Sequence, residues 1–146
     1  MEPITPQSTP QPTEHAYSPP PAHLKKILMV EDDDDLAKVY LMRFKAEGFE
    51  VRRVNNGEDA LAAATEYHPD LILLDVMMPK ISGFDVLDIL RNTPDTANMK
   101  VIMLTALGQD IDRKKAENLG VDGYLVKSEV VLDDIVDNIK HLLTIA

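Results

Sequence analysis

Four short apolar runs in this chain each end on a polar or charged residue, and helical patterns fill the gaps between them. Leu71-Ile72-Leu73-Leu74 runs into Asp75 and Ile27-Leu28-Met29-Val30 runs into Glu31-Asp32. Val101-Ile102-Met103-Leu104 runs into Thr105, and Tyr124-Leu125-Val126 runs into Lys127. A short aliphatic run bounded by a turn signal reads as a buried parallel strand. Side chains just past such strands lie at the carboxyl edge of the sheet, where open α/β folds place their chemistry. Three acids, a hydroxyl and an ammonium thus converge on one edge. That set suits one divalent cation and one phosphoryl group.

From Leu24 on, strand and helix patterns alternate five times. Strands are predicted at about 26–31, 50–54, 71–74, 100–104 and 123–126. Helices are predicted at about 36–47, 57–67, 83–92, 110–119 and 129–144. The first carries Leu36, Val39, Tyr40 and Phe44 as its apolar stripe, with Asp35 as cap and Gly48 at its end. Asn56 can cap the second, which carries Ala60, Leu61 and Ala64. Phe84, Val86, Leu87 and Leu90 mark the third, and the fourth has the weakest pattern. The last shows Ile135, Val136, Ile139, Leu142 and Leu143 on one face. Five βα units of this length predict a parallel sheet with helices on both faces.

Residues 1–23 differ from the rest. They hold seven of the ten prolines and no Lys or Arg, so they offer too little apolar surface to offset chain entropy. A disordered, Pro-rich tail is expected there, as a docking segment, a linker or plain solvated chain. The absence of cysteine excludes disulfides and thiolate metal sites. A net charge of -10 argues against nucleic-acid binding, which needs clustered Lys and Arg. No apolar run approaches the roughly 20 residues of a membrane-spanning helix, and no secretory signal pattern opens the chain. A cytoplasmic location is expected.

Carboxylates crowded on neighbouring strand ends repel unless a cation compensates. Magnesium prefers oxygen ligands and keeps waters, using one or two carboxylates and a phosphate. Asp75 and Asp32 suit direct ligation, Glu31 ligation through a water, and the Met77 backbone carbonyl can add another oxygen. An Asp carboxylate can also attack phosphorus to form an aspartyl phosphate. Lys127 can then neutralise phosphoryl charge, and the Thr105 hydroxyl can donate to a phosphoryl oxygen.

The set Glu31-Asp32, Asp75, Thr105-Ala106 and Lys127, with Met78-Pro79 and Gly83, resembles the receiver domain of two-component response regulators. The resemblance covers about residues 24–146. It implies a flavodoxin-like sheet in the order 2-1-3-4-5 and Asp75 as the phosphoacceptor. It also implies a Mg²⁺ ion and a phosphohistidine donor on a histidine kinase or phosphotransfer protein. Thr105 and Tyr124 would move together on phosphorylation and remodel the surface of the fourth helix, fifth strand and fifth helix for a downstream protein effector. Whether a phosphorylation-dependent dimer forms there is left open. Met77 and Leu107 would flank the phosphoryl group, and two apolar side chains there predict slow self-dephosphorylation.

One position departs from the family pattern. Receivers usually carry proline after the lysine, joined by a cis peptide, whereas this chain has Ser128. A cis bond before a non-proline residue costs roughly 3–4 kcal/mol. This departure bears directly on where Lys127 is placed.

Other readings are weaker. The run Asp32-Asp33-Asp34-Asp35 lacks the spacing, glycine and distal glutamate of a calcium loop, so Asp33 and Asp34 are expected to be solvated. His15, His23, His68 and His141 show no ligand spacing. A phosphohydrolase would need an acid two residues past Asp75, where Met77 stands. The expectation is a phosphoacceptor rather than an enzyme with external turnover. A dinucleotide site is disfavoured by the acidic, glycine-free loop after the first strand. A phosphorylation-independent interaction module of the same fold is the alternative. With no effector domain after residue 146, a stand-alone receiver or a receiver fragment of a hybrid histidine kinase is expected. Leu41 and Met42 lie off the buried stripe of the first helix, and Arg43 takes a partly buried position. Apolar surface there could dock a phosphodonor or make an extra core contact.

Overall fold

The computed structural model describes residues 24–144. The expected Pro-rich tail, residues 1–23, lies outside the described residues. Ten elements alternate: β1 (Lys26–Val30), α1 (Asp34–Ala46), β2 (Glu50–Val54), α2 (Gly57–Tyr67), β3 (Leu71–Leu74), α3 (Gly83–Arg91), β4 (Lys100–Thr105), α4 (Asp110–Asn118), β5 (Gly123–Val126) and α5 (Leu132–Leu142). The strands form one parallel sheet in the order β2-β1-β3-β4-β5. The fold class is that expected from the sequence pattern, and the strand order is that implied by the resemblance.

Burial explains the strand composition. All four residues of β3 are buried, as a strand covered on both faces requires. Edge strand β2 exposes Glu50 and Arg52 instead. Alternate residues feed two cores. Leu28, Val30, Ile72, Leu74, Val101 and Met103 face α2, α3 and α4, with Ala60, Ala64, Leu87 and Leu90 against them. Ile27, Met29, Leu71, Leu73, Ile102 and Leu104 face α1 and α5, with Phe44, Ile135 and Ile139 against them. Register aligns Val30 with Leu74 and Leu74 with Met103, so the residues that follow emerge together.

Local chemistry moves two helix starts. α1 begins at Asp34, capped by Asp33, whose carboxylate accepts from Leu36 N at 3.0 Å; the expected cap, Asp35, lies inside the helix. The buried positions are Ala37, Tyr40 and Phe44, Leu36 packs partly against the same core, and Val39 is 51% exposed. Leu41 packs against the core while Met42 stays exposed. α5 starts at Leu132 rather than 129. A turn closed by Glu129 N to Val126 O takes up the intervening chain, and the Asp134 carboxylate accepts from Val131 N at 2.9 Å. Asn56 caps α2 as expected, and Gly48 takes φ +94° after α1, a conformation that favours glycine.

Candidate functional site

β1, β3 and β5 deliver their terminal side chains to one place. Asp75 is 6% exposed and Glu31 3% exposed, so both acids are nearly removed from water. Lys127 Nζ lies between them, donating to Glu31 Oε1 at 2.8 Å and to Asp75 Oδ2 at 3.0 Å. The described residues include no cis peptide, so the Lys127–Ser128 bond is trans, and Lys127 still reaches the acids. Lys127 N donates to the Thr105 carbonyl at 2.8 Å, which fixes where its side chain departs.

Electrostatics follow from this packing. Burial raises the Glu31 pKa above its ordinary value, with the Lys127 hydrogen bond opposing. Burial pulls the Lys127 pKa down, but its bonds to Glu31 and Asp75 together outweigh that and leave it raised. The lysine therefore stays charged through neutral pH.

Glu31, Asp32 and Asp75 each offer a carboxylate oxygen, and the three lie within 4.8 Å of one another. An all-oxygen set of this kind fits a hard divalent cation. Asp32 is exposed, so the cluster opens to solvent on its side. Met77 N donates to Asp75 Oδ1 at 3.1 Å, holding the chain two residues on beside the carboxylate.

Gly83 is required by a close approach. A Cβ there would collide with the Asp75 carbonyl oxygen and lie 2.7 Å from Val76 Cα. Its absence lets Gly83 N donate to Val76 O at 2.9 Å and ties the start of α3 beneath the loop. An open groove of about 600 Å³ runs from Asp32 past Met77 and Phe84 to Lys115.

Thr105 and Tyr124 lie beside this cluster. Among the described residues neither hydrogen-bonds Asp75. Thr105 is fully buried and its Oγ1 accepts from Leu107 N at 3.3 Å. Tyr124 is 7% exposed and its hydroxyl donates to the Leu107 carbonyl at 2.7 Å. Leu107 thus links the two residues through its own backbone. Its side chain packs against the core, whereas Met77 is 56% exposed.

Sequence reasoning missed Arg53. From the end of β2 it donates to the Glu31 carbonyl and pairs with Asp34 at 2.8 Å. Its only sequence signal was a base on a strand next to an acidic loop.

Comparison with known proteins places this geometry in a family. Residues 27–140 match the model of the response regulator receiver domain. The phosphate regulon transcriptional regulatory protein PhoB of Rhizobium meliloti is 39% identical over 104 residues, covering 71% of this chain and 46% of that protein. The transcriptional regulatory protein CpxR of Escherichia coli is 45% identical over 104 residues, covering 71% and 43%. The chain thus spans less than half the length of these curated relatives. A putative response regulator from Chloroflexus aurantiacus, solved by crystallography, is 30% identical with a TM-score of 0.78, covering 84% of this chain and 99% of that one. A response regulator receiver domain protein from Methanospirillum hungatei is 28% identical with a TM-score of 0.77, covering 84% and 95%. Among the described residues no helix is long and apolar enough to cross a membrane. Sequence, fold and strand-end chemistry agree, and the chain belongs to the response regulator receiver family of two-component signalling.

Proposed function

We propose that this chain is a cytoplasmic phosphoacceptor that takes a phosphoryl group onto Asp75 from a phosphohistidine. The donor would be a histidine kinase or a histidine phosphotransfer protein. One observation carries the reading: a nearly buried Asp75 with an ammonium 3.0 Å from one oxygen and two further acids beside it. A carboxylate oxygen attacks phosphorus in line, and a P–O bond forms as the P–N bond breaks. The imidazole leaves neutral, keeping the proton on its other nitrogen.

Glu31, Asp32, Asp75 and the Met77 carbonyl are the groups that would hold Mg²⁺, which supplies charge neutralisation at the phosphoryl oxygens. Lys127 supplies a second positive charge from the β5 side. The Thr105 hydroxyl would exchange its bond with Leu107 N for one to a phosphoryl oxygen. Because Tyr124 bonds the carbonyl of the same Leu107, that exchange would be felt at Tyr124 and remodel the α4–β5–α5 surface. A net charge of -10 disfavours nucleic-acid contact by this chain itself, so its switched surface would be read by a protein partner. The chain would catalyse only its own phosphorylation from small donors and its own dephosphorylation. The exposed, apolar Met77 side chain supports a long-lived phosphoryl group, so Met77→Asn should shorten its half-life.

Intact mass after incubation with acetyl phosphate and Mg²⁺ tests the reading. The native protein should gain one phosphoryl mass, Asp75→Asn none, and a chelator should abolish the gain. Equal gain in Asp75→Asn would move the acceptor elsewhere. No gain by the native protein, with no Mg²⁺ binding, would favour a phosphorylation-independent interaction module.

A further inference from the structure

Five consecutive acids, Glu31 to Asp35, occupy the loop after β1 and the start of α1. Such a run repels itself, so its shape depends on what grips it. Lys127 holds the Glu31 carboxylate from the β5 side. From the opposite side, Arg53 at the end of β2 spans the loop. Its Nε and Nη2 donate to the Glu31 carbonyl oxygen at 2.9 and 2.6 Å, and its Nη1 donates to Asp34 Oδ1 at 2.8 Å. The Arg53 side chain is 21% exposed and its bonds to the Glu31 carbonyl are partly shielded from water, whereas the Asp34 side chain is 76% exposed. Glu31 N also donates to Val54 O at 3.1 Å, extending the β1–β2 pairing into the loop. The two anchor points, at residues 31 and 34, bracket Asp32, which accepts no hydrogen bond from any described residue.

We infer that Arg53 is a positioning residue for cation binding: it pins both ends of the Glu31–Asp34 turn so that Asp32 stays within reach of the Glu31 and Asp75 oxygens. This rests on the Mg²⁺-dependent reading proposed above. A planar guanidinium can meet a carbonyl and a carboxylate at once, whereas a lysine ammonium is a point charge on a flexible stem. Charge and geometry push in opposite directions here. A positive charge near a cation site weakens cation binding through Coulomb repulsion. If Arg53 were only a nearby charge, its removal would tighten Mg²⁺ binding; as a positioning residue, its removal weakens it.

The full chain, Arg53→Ala and Arg53→Lys are each titrated with Mg²⁺ by calorimetry. Amide shifts of residues 31–35 are followed by NMR, and phosphorylation by acetyl phosphate is measured across Mg²⁺ concentrations. Both variants should show a Kd for Mg²⁺ raised roughly 10-fold, the size typical of losing a group that orients metal ligands. Half-maximal phosphorylation should shift to higher Mg²⁺ by the same factor, and excess Mg²⁺ should restore most of the rate. Unchanged or tighter binding by Arg53→Ala overturns the inference. So does full recovery in Arg53→Lys, which would show that a flexible ammonium suffices and that the two-point guanidinium grip does not position Asp32. If Arg53→Ala does not fold, Arg53→Lys decides. A native protein that binds no Mg²⁺ overturns the underlying reading and this inference together, while native binding with unaffected variants overturns this inference alone.

Discussion

The helices that precede and follow β5 are held in different ways. α5 presses Ile135, Val136 and Ile139 into the sheet, each no more than 3% exposed. It is also tied to α1: Lys140 pairs with Glu47 at 2.8 Å, and Asp133 pairs with Arg43 at 2.7 Å. α4 buries only Ala116, and its Ile111 is 71% exposed. Its remaining hold is cationic. Arg113 lies 5.0 Å from the Tyr124 ring centroid and donates to the Tyr124 carbonyl at 3.2 Å. Lys115 lies 4.6 Å from the Phe84 ring centroid. Burying one aliphatic side chain stabilises by about 1.5–3 kcal/mol, against about 0.5–1 kcal/mol for an exposed cation over a ring. α5 is therefore scaffold, and α4 is a lightly tethered element attached to the tyrosine that the proposed switch would move. Segments with few buried apolar contacts open first.

The comparison can be broken most forcefully at α5. Ile139→Ala should cost about 2–5 kcal/mol, read from chemical denaturation, because a fully buried side chain is lost and a cavity remains. A cost under about 1 kcal/mol, the range of a volume-conserving swap, would mean α5 is not scaffold. Next in size is local opening. Hydrogen exchange should show α4 amides less protected than those of α5 by roughly tenfold or more, since opening energies range from near zero to the global value. Equal protection would erase the distinction. Beryllofluoride with Mg²⁺ should then change exchange in α4 more than in α5.

A smaller effect sharpens the account of the tether. Arg113→Ala should cost about 1 kcal/mol, the sum expected of a weak cation–ring contact and one hydrogen bond. It should speed exchange in α4 and leave α5 unaltered. A loss spread evenly over both helices would show that Arg113 serves the whole domain instead.

The smallest effect concerns the α1–α5 ties. Hydrogen bonds from Lys140, then Arg43, hold the Glu47 carboxyl below its ordinary value of 4.5. The folded value lies under the unfolded one, so this stabilisation is fully present above about pH 4.5 and fades as pH falls through the depressed value. Glu47→Gln should therefore lower Tm slightly at pH 7, with the difference from native vanishing in acid. A difference that persists unchanged in acid would mean the ion pairs are not its source.

Much of this was legible in the chain itself, at places where one physical cause dominates. Leu71–Leu74 is a short apolar run flanked by Asp70 and Asp75, which reads as a strand covered on both faces, and the observed bounds match. Asp75 and Glu31 stood at strand ends because a turn must leave the sheet there. α1 was harder. The expected stripe through Leu36, Val39, Tyr40 and Phe44 shares Tyr40 and Phe44 with the buried set Ala37, Tyr40 and Phe44, and Leu36 packs partly against the same core, so Val39 is the residue misplaced. The cap fixed only the start: Asp33 accepts from Leu36 N and the helix begins at Asp34. α5 was anticipated three residues early, since its apolar face from Ile135 onward does not fix its start and a turn occupies that stretch.

By itself, the sequence determined the α/β class and which residues reach the carboxyl edge. Both follow from local periodicity and from where apolar runs stop. Only the tertiary structure decided that Lys127 lies between Glu31 and Asp75, that Thr105 and Tyr124 share Leu107, and that Arg53 spans the acidic loop. The cationic contacts among these join residues 22 to 96 apart in the chain. Long, flexible cationic side chains carry no local signal of their partners; the parallel register of the sheet brings the partners within reach.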